Sequence, residues 1–158
     1  MEKTSSGRTA GAAARDRRRT VVQITKRVEF SATHRLYNPD FSDEKNWEVF
    51  GICNNPNGHG HNYTLDVTLR GEPDPATGMI IDLKELKEIL DERLVDRVDH
   101  KNLNLDVDFL SDCVPTVENL IIRFWEVLDG RIPGCDLDEL VLYESRTNFA
   151  RYRGPEGG

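Results

Sequence analysis

The sequence predicts an α+β domain, an antiparallel sheet with two helices packed on one face, and three observations lead there. Residues 22–34 and 59–70 alternate apolar and polar side chains at period two, as half-buried strands do. A stripe of leucines recurs at helical spacing from Leu83 to Val98. The order strand, strand, short strand, helix, helix, strand groups the strands instead of alternating them with helices, which disfavours a parallel sheet.

In the first strand Val22, Ile24, Val28 and Phe30 share one parity, broken only by Lys26. The same parity continues through Ala32 to His34. The next twenty residues are dense in turn formers, Tyr37-Asn38-Pro39-Asp40 and Asn54-Asn55-Pro56-Asn57-Gly58, and read as one long functional loop. In the second strand Tyr63, Leu65, Val67 and Leu69 alternate with polar neighbours. Running that parity backwards places His61 and His59 on the inward face.

Gly71 to Gly78 reads as a turn, and Met79-Ile80-Ile81 as a short strand. Asp82 is a helix N-cap with Glu85 three residues later, and Leu83, Leu86, Leu90, Leu94 and Val98 form the stripe that follows. A second helix begins at Pro115-Thr116, capped by Thr116, with Leu120, Phe124 and Leu128 on one face. Residues 131–138 break it, Leu140–Glu144 is a strand, and Phe149–Tyr152 its hairpin partner. Residues 1–20 read as a disordered tail, 21–153 as a single domain, and 154–158 as a loose end.

A net charge of −7 argues against nucleic acid as the main partner, because phosphate backbones need a basic footprint. No apolar run is long enough to span a membrane. Three cysteines without a close pair, and no secretory signal, point to a reducing, cytoplasmic setting.

The chemistry concentrates in Cys53 to Tyr63. His59 and His61, at i and i+2 on one strand face, stand roughly 7 Å apart at Cα, close enough to share an ion. His34 lies on the apolar parity of the first strand. If the strands pair, three neutral imidazoles converge and leave an open position, as in a catalytic zinc site. Cys53 admits two readings, a fourth ligand that closes the site or a nucleophile or base outside it. Asp99-His100 is either an oriented carboxylate–imidazole pair or a helix end whose His100 and Lys101 complement the dipole. Glu144 falls on the parity of Leu140 and Leu142, so it is either a carboxylate wanting a partner or a solvated strand end.

These residues together resemble the 6-pyruvoyl-tetrahydropterin synthase family. The likeness runs through Phe30-Ser31-Ala32-Thr33-His34-Arg35-Leu36, Cys53 to Tyr63, Asp74-Pro75-Ala76-Thr77-Gly78-Met79, Asp99-His100-Lys101-Asn102-Leu103, Thr116-x-Glu118-Asn119 and Tyr143-Glu144, in order, over about residues 25–153. It implies the tunnelling fold, whose subunits assemble into a trimeric barrel and stack as a hexamer, with the active site at a subunit interface. It implies zinc on His34, His59 and His61, a catalytic Cys53, an Asp99–His100 relay, a pterin-anchoring Glu144, and pterin contacts from Thr116 and Glu118. The implied reaction converts 7,8-dihydroneopterin triphosphate to 6-pyruvoyl-tetrahydropterin with loss of triphosphate, in tetrahydrobiopterin biosynthesis. Mg2+ would accompany the triphosphate, held by cations among Lys26, Arg27, Arg35, Lys45 and Lys101.

Three departures stand out: Pro115 and Val117 stand where members of that family often carry Ser and Thr, and Ser145 stands where Thr is common after the anchoring glutamate. The C-x5-H-G-H spacing resembles the pyruvoyl enzymes, and a shorter spacing marks the related 6-carboxy-tetrahydropterin synthases of queuosine biosynthesis. That activity, or a non-catalytic zinc- and pterin-binding oligomer, is the alternative.

Overall fold

The structure, a computed structural model, describes residues 20–156. Five strands form one sheet in the order β3-β1-β2-β4-β5. These are β1 (Val22–His34), β2 (His59–Gly71), β3 (Lys101–Asn102), β4 (Asp136–Tyr143) and β5 (Phe149–Tyr152). β1 and β2 pair antiparallel along their whole lengths, Val22 opposite Gly71 and His34 opposite His59. The expected α+β architecture is therefore present.

The parity read from the sequence is the parity of the core. Val28, Phe30 and Ala32 of β1 face the same layer as Tyr63, Leu65, Val67 and Leu69 of β2, and all are buried. Phe30 and Tyr63, directly opposed in register, stack with ring centroids 4.9 Å apart. The opposite face is polar. Thr25 meets Thr68 at 2.8 Å, Ser31 meets Asn62 at 2.7 Å, and Arg27 grips both oxygens of Asp66.

Helices cover the apolar face. α1 (Asp43–Phe50) lies in the β1–β2 connection, α2 (Leu83–Leu90) runs through a π-helical turn (Asp91–Val95) into a last turn, α3 (Asp96–Val98), and α4 (Val117–Leu128) follows. The π turn has a cause in the sequence. Leu86, Leu90, Leu94 and Val98 are spaced by four, and each such step overruns an ideal α-helical turn by roughly 40°. Three steps would carry Val98 well off the sheet. A turn closed by i→i+5 bonds takes up the extra residue, and all four side chains stay fully buried. From α4, Leu120, Ile121, Phe124 and Leu128 complete the core.

Five expectations need correction. The connection after β1 is not one loop, because Ser42 caps α1 by accepting from the Lys45 N–H at 3.1 Å, and a 3-10 turn (Gly51–Asn54) follows. α1 carries no apolar stripe: Trp47 and Val49 are exposed, and Asn46 is the buried residue. Met79–Ile81 is not a strand, since the turn around Asp74 uses the Met79 carbonyl as an acceptor. Leu83 stands 52% exposed, one position before the stripe turns inward. β4 begins at Asp136, inside the stretch read as a break. β3, two residues parallel to β1, was not anticipated.

Replacing Leu90 by alanine removes a fully buried side chain from the middle of the stripe. Urea unfolding of Leu90→Ala is expected to show a loss of about 2–5 kcal/mol; a loss below 1 kcal/mol, far under that range, would mean that the stripe does not carry the helix–sheet interface.

Candidate metal and catalytic site

The β1–β2 register decides where the histidines meet. His34 lies opposite His59, and Ala32 opposite His61, so three imidazoles leave one face at the same end of the ladder. Their metal-capable nitrogens lie within 4.8 Å of one another. His34 Nε2 and His59 Nε2 are 3.1 Å apart, near the roughly 3.3 Å expected between two nitrogens on one tetrahedral zinc.

His34 is the best-defined of the three. It is buried, and its Nδ1 lies 2.8 Å from the carbonyl oxygen of Pro115. A carbonyl only accepts, so Nδ1 carries the proton and Nε2 keeps its lone pair for the cluster. Burial drives the His34 pKa down to about 4, despite the opposing pull of the Pro115 hydrogen bond. Burial also lowers that of His61, against the pull of Glu144. His61 Nε2 is buried without a hydrogen-bond partner. Three converging imidazoles, one with an orphaned nitrogen, are a donor set suited to a cation.

Cys53 does not belong to that set. It sits half-buried in the 3-10 turn, and its carbonyl accepts from the Leu36 N–H at 2.9 Å. The turn that follows, Asn55 to Gly58, closes with the Gly58 N–H on the Asn55 carbonyl at 2.8 Å. Gly58 has a φ of +69°, and a Cβ there would come 3.0 Å from the His34 carbonyl oxygen. Glycine is therefore needed for the chain to turn back against β1 and enter β2 at His59.

Glu144 lies just past the end of β4, and its carboxylate is 3.8 Å from His61 Nε2. Its N–H bonds the Asn148 carbonyl at 3.0 Å, closing the β4–β5 turn. Thr116 caps α4, its hydroxyl oxygen accepting from the Asn119 N–H at 3.3 Å. Its neighbour Pro115 supplies the carbonyl that orients His34.

Asp99 and His100 form a true pair, His100 Nδ1 lying 2.9 Å from Asp99 Oδ2. Adjacent side chains meet here because His100 adopts a φ of +56° while both residues are tied to one point of β1. The Ser31 N–H donates to Asp99 Oδ1 at 2.8 Å, and the His100 N–H donates to the Ser31 carbonyl at 2.6 Å. The Ser31 N–H, seconded by His100, holds the Asp99 carboxyl below its usual range. The His100 ring is 82% exposed at the open edge of the sheet.

A family model described as 6-pyruvoyl tetrahydropterin synthase matches residues 23–155. The chain belongs to that family. It is 46% identical over 137 residues to the 6-pyruvoyl tetrahydrobiopterin synthase of Homo sapiens, covering 87% of this chain and 94% of the relative. A more distant relative, the dihydroneopterin monophosphate aldolase of Pyrococcus furiosus, is 34% identical over 123 residues, 77% of this chain and 89% of the relative. The structure of Caenorhabditis elegans 6-pyruvoyl tetrahydropterin synthase superposes with a TM-score of 0.81 at 42% identity, covering 87% of this chain and 99% of that one.

Within this member of the family, the structure brings His34, His59, His61 and Glu144 together, with Thr116 one residue from the Pro115 contact. Glu118 is exposed in the first turn of α4, and no hydrogen bond or ion pair among the described residues joins Asp99–His100 to Cys53. Of the proposed cations, Arg27 is paired with Asp66, Lys45 with Glu48, and Arg35 is bound to Asn54. Two contributors were missed. The Pro115 carbonyl has no side-chain signal to find. Tyr63, fully buried with its hydroxyl 3.4 Å from His34 Nδ1, continues the His59–His61 parity and could have been read from it.

Two outcomes follow from the cluster. His59→Ala is expected to lose bound metal by elemental analysis while Cys53→Ala keeps it; the reverse pattern would make the thiol a ligand. In chelator-treated protein, the unfolded chain protonates His34 below about 6.5 while the folded chain resists down to about 4. The stability present above pH 6.5 is therefore lost as pH falls toward 4, by on the order of 3 kcal/mol. Urea midpoints measured across that window should show the slope, and it should be missing from His34→Gln.

Proposed function

We propose that the chain is a zinc-dependent 6-pyruvoyl tetrahydropterin synthase that converts 7,8-dihydroneopterin triphosphate to 6-pyruvoyl-tetrahydropterin and triphosphate. The convergence of His34, His59 and His61, with Cys53 close by in the chain but outside the ligand set, carries this reading. The 46% identity to the Homo sapiens relative supports the choice of substrate and product.

The reaction needs no external oxidant or reductant: the ring gains the two hydrogens that one side-chain alcohol loses on becoming a ketone, and the other alcohol becomes a ketone through elimination of triphosphate, which leaves the terminal carbon as a methyl group. What it needs is proton movement, elimination of triphosphate, and a place for negative charge on oxygen. Zinc, when bound, would supply a Lewis acid for the side-chain oxygens. Cys53 as thiolate takes a carbon-bound proton of the side chain. Glu144 accepts hydrogen bonds from the amino and ring N–H groups of the pterin, and Thr116 and Glu118 border the ring. Asp99 orients His100, so that the ring can exchange protons with Cys53. That ring points away into solvent at the sheet edge, which suits a site completed by a second copy, as a barrel of three subunits stacked into a hexamer would provide. Lys26 and Lys101, which have no ion-pair partner among the described residues, are the cations left for the triphosphate, and any Mg2+ would arrive with that substrate.

The test is product identification from 7,8-dihydroneopterin triphosphate by mass spectrometry. 6-Pyruvoyl-tetrahydropterin with stoichiometric triphosphate is expected. A 6-carboxy-tetrahydropterin, aldol cleavage of the side chain, or binding without turnover would each replace the assignment. Cys53→Ala is expected to lower kcat by about 10²–10⁴-fold. Unchanged turnover in that variant would remove the thiol from the chemistry.

A further inference from the structure

We propose that Arg35 is a positioning residue for Cys53, holding the turn that carries the thiol at a set place beside the three-histidine cluster. This rests on the reading of Cys53 as the base. β1 ends at His34, opposite His59, and Arg35 is the first residue without a β2 partner. Its backbone groups face the β3 side of β1, as those of Ser31 and Thr33 do, and Asn104, just past β3, meets them there. Its Oδ1 accepts from the Arg35 N–H at 2.7 Å and its Nδ2 donates to the Arg35 carbonyl at 2.8 Å. One amide thus engages both backbone groups of Arg35, as a neighbouring strand would.

With its backbone fixed, the Arg35 side chain reaches the cysteine turn. Its Nε–H is shared between the carbonyl oxygen of Asn54 at 2.8 Å and Asn54 Oδ1 at 3.1 Å. The guanidinium carbon lies 4.3 Å from the centroid of the Tyr37 ring, which fixes the plane of the fork. Asn54 is buried, and the Cys53 carbonyl is itself tied to the Leu36 N–H. Two successive carbonyls of the turn, those of Cys53 and Asn54, are therefore bonded to the two residues that follow His34. Beyond them Asn55, Pro56 and Asn57 are exposed. These bonds are what couple the thiol's backbone to the metal-facing end of β1.

The acceptors are neutral, so Arg35 acts here through the place of its donor, not through its charge. Lysine has a methylene where arginine has Nε–H, so Arg35→Lys keeps the charge and deletes the bond. The test uses a Cys113→Ser, Cys135→Ser background, in which Cys53 is the one remaining thiol of the chain. In that background zinc content, steady-state turnover of 7,8-dihydroneopterin triphosphate, and the pH profile of iodoacetamide alkylation are measured for arginine, lysine and alanine at position 35.

Both variants are expected to keep zinc, to lose about 10–100-fold in kcat with KM within about threefold, and to alkylate at least about fivefold faster as the turn loosens. Recovery of kcat by lysine would overturn the proposal in favour of a charge effect. A rise in KM alone, with unchanged alkylation, would overturn it in favour of direct contact with the triphosphate. Should the alanine variant fail to fold, the lysine variant carries the same readouts. If parent enzyme fully alkylated at Cys53 still turns over, the reading of Cys53 fails. If alkylation inactivates it but the Arg35 variants match the parent, the positioning role alone fails.

Discussion

Thirteen residue pairs, from Val22 opposite Gly71 to His34 opposite His59, join β1 to β2, and the register of that ladder is the constraint on which the rest of the site depends. A slip of one residue would send Phe30, Tyr63 and the histidines to the polar face together. The same pairing that stacks Phe30 on Tyr63 in the core therefore sets the spacing of the imidazole nitrogens at the end of the ladder. Core and site are not separate investments of the sequence, because one alternation, extended a few residues further, makes both.

The second tie runs from the sheet to α4. Pro115, one residue before the Thr116 cap, presents its carbonyl to His34 Nδ1, so the start of a helix fixes the tautomer of a strand residue. Proline at that place leaves the carbonyl free to accept while contributing no N–H of its own. Burial then keeps the imidazole neutral, the state that a ligand requires.

How much of this could be read beforehand follows from range. Strand parity is local, and it placed His59, His61 and, across an assumed pairing, His34. The four-residue spacing of Leu86, Leu90, Leu94 and Val98 was legible as a helix, and its overrun of the α-helical turn was a sign of the π turn that went unread. α1 was hidden because its one buried residue is Asn46, whose side chain caps backbone instead of filling a core, although Ser42-Asp43-Glu44 was a usable start signal. β3 and the Asp99–His100 geometry depend on the backbone of Ser31, 68 residues from Asp99, which no local pattern encodes. Cys53 stayed ambiguous for the same reason: its carbonyl is tied to Leu36 and its neighbour Asn54 to Arg35, across a turn that parity does not cross.

The site divides accordingly into a rigid part, built on strands and closed by Pro115, and a part that turns and edges supply. Three nitrogens belong to the first and the thiol to the second. X-ray absorption at the zinc edge of the zinc-loaded protein distinguishes that division from a shared ligand set. A first shell of nitrogen and oxygen only, at about 2.0–2.1 Å with imidazole outer-shell scattering from three rings, is the predicted result. A sulfur scatterer at about 2.3 Å would contradict it, placing Cys53 on the metal.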